Sequence, residues 1–568
     1  MVSAGLLEYA MTAGIVIAFA GLIMGAILDR RGIRHSVSGL GFRKKHFLMI
    51  IAIIALFVVM ELVVIKPTQL LFFDDAIYQA MGQSLLHSGQ AWMCDYGTPL
   101  TCFSGEIFHE PIGLSFNFAM AFLLFGIKLP VAFGTGLVLG AVSVFMTFFV
   151  ALMLLKRIGA ASFAMLLMAL TPVLLVWAQP TNSDVATLAY SLIAIFFMLM
   201  FSLRKTKLTL INMLLSMSLL MYMKVFALLY IPVLLLMYLF VDDKNIISAI
   251  RKNLSLIKRH ALDTWPLVAL LIFVVSLAPQ VIYAQMQLTS GNYGYQGTSM
   301  QNTCTNDFAQ ATGSINIMNA QFNICSNILF WFNSYKNVYV MQPFIYTVLA
   351  IIGAALLLIF NRKGFAALAI WFVLLFALYD AFYAGSVLYG VDWRFMLGLV
   401  AQTCILGGFA AYALIDYVNK KTKNRAAHLL SIAAVVVLIA YPAVAMYQQL
   451  SISPSNVPQA GDARFYEGFV YNQSQQIPAS CLVYTYDPTL FNINNRTATQ
   501  IGDLYNQALY ANYSAQYSCM VLDYGYWCHT PNNECTYANQ SFTLAPIATA
   551  TYSNFNYRYG FYYLTKKS

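Results

Sequence analysis

Long apolar stretches alternate with short polar segments over the first 450 residues of the chain. Each stretch is close to the roughly 20 residues that an α-helix needs to cross a bilayer. The stretches lie near 5–28, 47–66, 131–155, 159–178, 185–203, 208–223, 225–241, 264–283, 343–360, 365–384, 395–417 and 427–447. This pattern predicts a mainly α, polytopic membrane protein with about twelve transmembrane helices.

The pattern changes after the last of these stretches. Residues 450–568 are rich in Tyr, Asn, Gln, Ser and Thr, and their short apolar runs at 480–485 and 519–522 indicate strands. We therefore predict three regions: an extra N-terminal helix with a basic loop (1–46), a transmembrane domain (47–449) and a small α/β domain (450–568). The third region is expected to bind a substrate or to cover a pocket of the transmembrane domain.

Composition and charge agree with a membrane protein. The chain is 60% hydrophobic and only 10% charged. Its net charge of +10 raises the question of nucleic acid, but 22 of the 32 Lys and Arg residues lie in short loops between alternate spans. The positive-inside rule makes these loops cytoplasmic, which places both termini outside and makes nucleic acid an improbable partner. The loops are 30–45, 156–157, 204–207, 244–259, 362–363 and 420–425.

The first apolar segment does not have the pattern of a cleaved signal peptide. No basic residue precedes it, it contains Glu8, and its positive charges follow it. This polarity is opposite to that of a secretory signal. We therefore interpret residues 5–28 as an anchor helix.

Cysteines and glycosylation sequons give an independent test of sidedness. Cys404 falls in a span, whereas the other eight cysteines fall in segments predicted to lie outside, where an oxidising environment favours disulfides. Eight cysteines allow 105 pairings. Proximity in the loops favours Cys94–Cys102, Cys304–Cys325, Cys481–Cys519 and Cys528–Cys535. Four sequons that could carry N-linked glycans lie after the last span, at Asn472, Asn495, Asn512 and Asn539.

Candidate chemistry is concentrated in the first outer loop, residues 67–130. Asp74 and Asp75 are adjacent carboxylates directly after an apolar run, where two like charges are costly at the edge of a membrane. An amphipathic helix ending at Gly89 is predicted to follow them. The apolar run near 113–126 is short for a span, and we expect it to form a helix at the interface, although a spanning helix stays open. A second long outer segment, 284–342, is a candidate lid.

The motifs in this loop resemble a known family. Residues 74–89 read Asp-Asp-x-x-Tyr-x-x-x-Gly-x-x-Leu-Leu-x-x-Gly. This is similar to the first outer loop of GT-C membrane glycosyltransferases, in the branch of protein O-mannosyltransferases and lipid A aminoarabinose transferases. Residues 109–113, His-Glu-Pro-Ile-Gly, resemble that branch's His/Lys-Pro-Pro-Leu-Gly, with Glu110 replacing a proline. The likeness covers roughly residues 48–240 and implies the GT-C fold.

The resemblance implies roles for three carboxylates. It makes Asp74 the catalytic base, because a poorly hydrated carboxylate can accept a proton from an acceptor hydroxyl or amide. Asp75 stands where the family has glutamate, so its part in catalysis is open. Asp184, at the start of a span, matches a further family acid, which implies a second active-site carboxylate that orients the acceptor or holds a metal. Each could instead cap a helix N-terminus.

Two cations are candidates for binding the lipid phosphate. Lys224 lies between two apolar helices and either meets an anion or extends to the interface. Arg394 enters a late span from the outer side, and its planar guanidinium suits phosphate. An ion pair with Asp380 or Asp392 is the structural alternative for Arg394. Further supporting residues are Tyr78, His109, Glu110, Asp380 and Asp392.

Together these features predict a multi-pass enzyme of the cell membrane that acts on its extracytoplasmic side. It would transfer a sugar, with inversion, from a polyprenyl- or dolichyl-phosphate donor to a protein or glycolipid acceptor. No phosphate-binding loop or nucleophile elbow is present in the sequence. A divalent metal, Mg²⁺ or Mn²⁺, stays open. The alternatives are an oligosaccharyltransferase-like N-glycosylation enzyme, suggested by Asp523-Tyr524-Gly525, and a lipid or solute transporter.

Overall fold

The structure is a computed structural model. It describes residues 4–64, 74–97, 102–107, 111–179, 183–224, 227, 230–242, 264–290, 310–317, 320–326, 343–382, 397–422, 424–452, 458–529, 533–552 and 557–567.

Helices occupy every segment in which the apolar pattern predicts a span, so the predicted fold class is confirmed. In chain order the helices of the first half are α1 (Ala4–Leu28), α2 (Arg30–Gly39), α3 (Lys44–Val59, continued by a π turn over Met60–Val64), α4 (Asp74–Ser88), α5 (Gly113–Phe125), α6 (Leu129–Leu155), α7 (Ile158–Ala169), α8 (Pro172–Trp177), α9 (Ser183–Arg204), α10 (Lys207–Met223), α11 (Tyr230–Asp242) and α12 (Thr264–Ser290). The later ones are α13 (Phe344–Phe360), α14 (Arg362–Phe382), α15 (Leu397–Thr422), α16 (Arg425–Ile452), α17 (Pro458–Gln473), α18 (Pro488–Asn492), α19 (Gln507–Gln516) and α20 (Asn533–Ser541).

Length and composition show which of the described helices could cross a membrane. Among the described residues, five helices are long and apolar enough to cross a membrane: α1, α3, α6, α9 and α15. The helix α5 has 13 residues, about 20 Å at 1.5 Å per residue, which is short of the roughly 30 Å hydrocarbon core. The placement of α5 at the interface stays a prediction.

One predicted span is broken in the middle. The segment predicted at 159–178 forms α7 and α8, because Pro172 begins a new helix where its missing N–H costs nothing. The Thr171 hydroxyl donates to the Leu167 carbonyl at 2.7 Å and so satisfies one carbonyl of the last turn of α7.

The N-terminal helix α1 is packed into the bundle. A helix that served only as an extra anchor would not need such close contacts. Its glycines meet α10 directly: a Cβ at Gly14 would lie 2.3 Å from the Tyr222 hydroxyl oxygen, and one at Gly25 would lie 2.0 Å from Asn212 Oδ1. Small residues allow such close helix contacts in membranes. At its other end, Glu8 accepts a hydrogen bond from the Trp92 indole N–H. The helix α1 therefore connects the bundle to the first outer loop.

The C-terminal region contains the predicted small α/β domain. The described strands are β1 (Trp92–Gly97), β2 (Cys102–Ile107), β3 (Gln310–Ile317), β4 (Ala320–Ser326), β5 (Cys481–Thr485), β6 (Ala498–Gln500), β7 (Cys519–Tyr524), β8 (Phe542–Tyr552) and β9 (Tyr557–Lys566). Seven of them form one mixed sheet in the order β2–β1–β6–β5–β7–β9–β8, and β3 pairs with β4 separately, within the candidate lid. The central strand of the seven-stranded sheet is β5, which is parallel to both of its neighbours, β6 and β7.

Two strands of this sheet belong to the first outer loop. The hairpin β1–β2 joins the sheet through the pairing of Gly97 with Ala498. The Asn492 side chain, fully buried, donates to the Cys94 carbonyl at 3.1 Å across the same junction. The predicted boundary at residue 450 therefore divides a sheet that includes residues from both sides of it.

Disulfides lie on both sides of this junction. Cys94–Cys102 closes the hairpin, and Cys481–Cys519 and Cys528–Cys535 lie in the C-terminal domain. These are three of the four pairs that loop proximity favours. Cys304 lies outside the described residues, so Cys304–Cys325 stays a prediction. Cys404 is a buried free thiol. The four sequon asparagines Asn472, Asn495, Asn512 and Asn539 are all exposed, as glycan attachment would require.

The junction makes a direct prediction. Replacing Asn492 with leucine removes the donor to a buried carbonyl, which costs about 1–3 kcal/mol. We expect faster deuterium exchange in β1, measured by mass spectrometry on the full-length protein. The matched control is Asn494→Leu, because Asn494 donates only within its own segment, to the Leu490 carbonyl at 2.9 Å. Equal exchange in β1 for both variants would contradict this account of the junction.

Two buried acids at the ends of the parallel strands make the C-terminal domain sensitive to pH. Burial raises the pKa of Asp523 to about 7 and that of Asp487 to about 6, from 3.8. Hydroxyl donors to Asp523 Oδ2, from Tyr466 and from Thr485 at 2.8 Å, offset part of this burial effect. The folded domain therefore binds more protons than the unfolded chain between about pH 4 and pH 7, and its stability falls as the pH rises through this window.

We expect the C-terminal domain to lose roughly 3 kcal/mol of stability between pH 5 and pH 8 through Asp523 alone. The measurement is hydrogen-exchange protection of β5 and β7, corrected for the intrinsic exchange rate. Asp523→Asn is uncharged at every pH and should remove most of this dependence. An unchanged pH dependence in that variant would show that Asp523 is not its source.

Candidate active site

The helix α4 begins at Asp74 and presents the predicted acidic pair at its first turn. The side chain of Asp75 is completely buried, and so are most residues along the helix as far as Leu85. Gly82 permits this burial, because a Cβ there would lie 2.8 Å from Phe118 Cβ on α5. Gly89 has φ +74° and ends the helix. The side-chain contacts of Asp74 are outside the described part of the structure.

Tyr78 connects α4 to the helix that carries the next predicted acid. Its hydroxyl donates to Ser183 Oγ at 3.3 Å, and Ser183 is the first residue of α9. Asp184 is the second residue of α9. The hydrogen bond from Tyr78 therefore connects the start of α4 to the residue that precedes Asp184. The two segments are separated by 105 positions in the chain.

Asp184 and Lys224 form a buried ion pair. The Lys224 Nζ lies 2.6 Å from Asp184 Oδ1, and their side chains are 9% and 7% exposed. Lys224 directly follows the end of α10 and has an extended backbone. Removing two charges from water is costly, and the pair is stable there only because each charge offsets the other. This pair is the main new fact about the site, because sequence analysis assigned the two residues to separate tasks.

An uncharged network supports the end of α10. Asn117 on α5 donates from Nδ2 to the Gly113 carbonyl at 2.8 Å and accepts from the Tyr190 hydroxyl at 3.0 Å. Its Nδ2 also lies 3.8 Å from the Met223 sulfur, next to Lys224. A Cβ at Gly113 would lie 2.3 Å from the Tyr222 carbonyl, so α5 contacts the chain that leads to Lys224. Asn117 was not predicted, although a lone amide in an apolar run was a usable signal.

A second unpredicted group lies at the end of α3. Glu61 is completely buried in the π turn, and the Gln179 side chain donates to it at 3.0 Å (Nε2 to Oε2). These residues directly precede the two segments that lead to Asp74 and to Asp184. An ionisable residue within a predicted span marks a functional site by default, so Glu61 could have been found from sequence.

The C-terminal domain covers the start of α4. Ala76, two residues after Asp74, is part of the hydrophobic core of this domain, together with residues such as Tyr466 and Leu490. The domain is thus in contact with the first turn of the helix that carries the acidic pair. This contact fits the expectation that residues 450–568 cover the site.

The structure brings together Asp75, Tyr78, Asp184 and Lys224. Other predicted site residues lie outside the described residues: His109, Glu110, Asp392 and Arg394, and the side chain of Asp380. Within the described part of the chain, no three His, Cys, Asp or Glu side chains are grouped as metal ligands. A divalent metal therefore stays an open prediction.

Solved structures with the same architecture have little sequence in common with this chain. ArnT from Cupriavidus metallidurans matches in the apo state with a TM-score of 0.57 at 13% identity, over 92% of this chain and 98% of that one. The same protein bound to undecaprenyl phosphate matches with a TM-score of 0.55 at 12% identity, over the same shares. The archaeal oligosaccharyltransferase AglB from Archaeoglobus fulgidus, in complex with an inhibitory peptide and a dolichol-phosphate, has a TM-score of 0.51 at 13% identity, over 84% and 69%.

The comparisons of sequence found no match, in contrast to the comparison of structures. No family model matches the chain, and no curated protein sequence matches it significantly. At 12–13% identity the structural likeness establishes the fold alone. The fold is thus shared with these proteins over 84–92% of the chain.

Proposed function

We propose that this chain, a polytopic membrane protein with the GT-C fold, is a glycosyltransferase that uses a lipid-phosphate-linked sugar. The donor would be a polyprenyl- or dolichyl-phosphate sugar, and the acceptor a protein or glycolipid. The reaction would take place at the membrane face that the positive-inside rule assigns to the outside.

The observation that supports this proposal most is the buried Asp184–Lys224 pair next to α4. It places a cation and a carboxylate, 2.6 Å apart, beside the helix that starts with Asp74 and Asp75. Tyr78 of α4 donates a hydrogen bond to Ser183, the residue before Asp184, and so connects the two helices that carry these charges. Transfer from a lipid phosphate needs this combination: a base for the acceptor and a cation for the leaving phosphate.

In the proposed reaction, Asp74 accepts the proton of the acceptor hydroxyl or amide. The acceptor atom forms a bond to the anomeric carbon while the bond from that carbon to the lipid phosphate oxygen breaks. Attack from the face opposite the phosphate inverts the configuration. The lipid phosphate leaves with the bonding electrons, and Lys224 and Arg394 stabilise its charge as preorganised cations.

Asp184 has a defined part in this scheme. It orients Lys224 before the donor arrives, and the incoming phosphate then shares the ammonium with it. A lysine without such a carboxylate would be expensive to keep charged at this depth. The same carboxylate is also a candidate to orient the acceptor, because it follows Ser183, to which Tyr78 of α4 donates a hydrogen bond.

The choice of a lipid-linked donor also rests on the neighbours of the fold. The ArnT structure binds undecaprenyl phosphate, and the AglB structure binds a dolichol-phosphate and a peptide. Undecaprenyl phosphate and dolichol-phosphate are both lipid phosphates. ArnT and AglB both share the fold of this chain.

Oligosaccharyl transfer to asparagine is a second candidate, favoured by the likeness to AglB. The motif that suggested it, Asp523-Tyr524-Gly525, lies at the end of β7 in the C-terminal sheet. Asp523 is completely buried, and hydroxyls of Tyr466 and Thr485 occupy one of its oxygens. A carboxylate enclosed in this way is poorly placed to contact an acceptor peptide, so we rank this function second.

Mass analysis of cell-surface glycans, from cells with and without the gene, tests the two candidates together. We expect a single sugar to disappear from protein or lipid acceptors in the deletion strain. Loss of whole oligosaccharides from asparagine would favour the second function. Unchanged glycans on proteins, lipids and polysaccharides would contradict both.

A further inference from the structure

The loop between α1 and α3 carries an unusual concentration of positive charge. Its exposed basic residues, which we call the basic surface, are Arg30, Arg31, Arg34, Arg43, Lys44 and Lys45. The exposed imidazole of His35 lies among them. The acid in this loop, Asp29, pairs with Arg204 on α9 at 2.6 Å and so does not neutralise the basic surface.

The helix α2 orders this charge on one face. Ile33, Val37 and Leu40 follow each other at the spacing of one helix face, and all three pack against the hydrophobic core of the bundle. The arginines at 30, 31 and 34 are exposed and lie to one side of this packed face. Phe42 extends the anchor, with its ring 5.8 Å from those of Phe148 and Phe149. The basic face is therefore held in one orientation.

The neighbouring residues place this face at the depth of lipid headgroups. Ile27 and Leu28, directly before the loop, are 54% and 63% exposed, and Phe47 and Leu48, directly after it, are 51% and 72% exposed. Exposed apolar side chains at the ends of two adjacent spans are typical of lipid-facing surface. The charged segment begins where both lipid-facing stretches end.

The basic residues at the end of α15 are arranged differently. In the loop after α15, Lys420 pairs with Asp416 at 2.7 Å, and Lys421 lies 5.3 Å above the Tyr417 ring. Those charges have partners within the protein. The charges of the basic surface form no ion pair among the described residues, where the acid of the same loop, Asp29, is already paired with Arg204. They are therefore available to an external anion.

We propose that the basic surface binds the phosphate headgroups of anionic phospholipids in the membrane leaflet that it faces. An amphipathic basic helix directly beside a membrane span attracts such lipids electrostatically. The partner is a lipid because the surface is bounded on both sides by lipid-facing residues. This binding is independent of the proposed sugar transfer, because α2 lies at the far end of α1 from the acidic pair.

Native mass spectrometry of the purified full-length protein tests the proposal. The probes are phosphatidylglycerol, phosphatidylcholine with the same acyl chains, and inorganic phosphate, each added separately. The variant is Arg30→Gln/Arg31→Gln/Arg34→Gln, and the matched control is Lys420→Gln/Lys421→Gln/Arg425→Gln, which also removes three charges. Size-exclusion profiles and thermal midpoints in phosphatidylcholine establish that both variants are folded.

We expect the α2 variant to bind phosphatidylglycerol about 10- to 100-fold more weakly than the wild type, with phosphatidylcholine binding unchanged. The control should keep wild-type affinity, and added salt should weaken binding in the wild type more than in the variant. Equal affinity in the variant and the wild type would overturn the proposal, and the charges would then serve insertion topology only. Equal losses in variant and control, or equally strong binding of inorganic phosphate, would overturn it as well.

Discussion

Replacing Lys224 with methionine is expected to lower the free energy of unfolding by about 3–5 kcal/mol, because it leaves the carboxylate of Asp184 buried without its cation. Asp184 is 7% exposed and reaches the ammonium at 2.6 Å, so water cannot easily replace the lost partner. Thermal unfolding of the purified protein in detergent measures this loss. Transfer from a lipid-phosphate sugar should be lost in the same variant.

A double variant separates the two effects. Lys224→Met combined with Asp184→Asn removes both charges and should recover most of the stability, because a neutral buried pair has no uncompensated charge. It should not recover transfer, because the cation for the leaving phosphate is still missing. If the double variant regains both stability and transfer, Lys224 has no role in binding phosphate and the pair is structural.

Replacing Asp74 with asparagine is expected to reduce transfer by about 10²- to 10⁴-fold, the usual contribution of a general base. Asparagine has nearly the same size but cannot accept the acceptor's proton. Thermal stability should change little, since asparagine is as good as aspartate at the N-terminus of α4. The assay uses membranes or purified protein with a lipid-phosphate sugar.

Asp75→Asn is the informative comparison for Asp74→Asn. Asp75 is completely buried beside it, so its replacement should act on folding as well as on rate. If Asp75→Asn loses sugar transfer while Asp74→Asn stays fully active, the general base is Asp75 and not Asp74. Asp74→Ala tests the helix-capping alternative, which predicts stability lower by about 1 kcal/mol in that variant with unchanged transfer per folded molecule.

The apolar pattern was enough to predict the helices of the bundle, because hydrocarbon imposes a length and an apolar surface on each span. The break at Pro172 was readable in principle, since proline begins helices more readily than it continues them. The integration of α1 was harder to predict. Gly14 and Gly25 are unremarkable in an apolar sequence until their partners Tyr222 and Asn212 are known.

Long-range contacts were the part that sequence could not supply. The pairing of Gly97 with Ala498 joins segments about 400 residues apart. Neither segment has a sequence feature that indicates the other as its partner. The same holds for Lys224 and Asp184, which sequence analysis assigned to phosphate and acceptor separately. A buried charge indicates that a partner exists, but the fold decides which one.

The most direct test of the central claim is a reaction in vesicles that contain the purified protein, a lipid-phosphate sugar and candidate acceptors. We predict a covalent sugar–acceptor product, one free lipid phosphate for each sugar transferred, and loss of both with Asp74→Asn. Movement of the lipid or sugar across the vesicle membrane without any covalent product would contradict the account and identify the protein as a transporter.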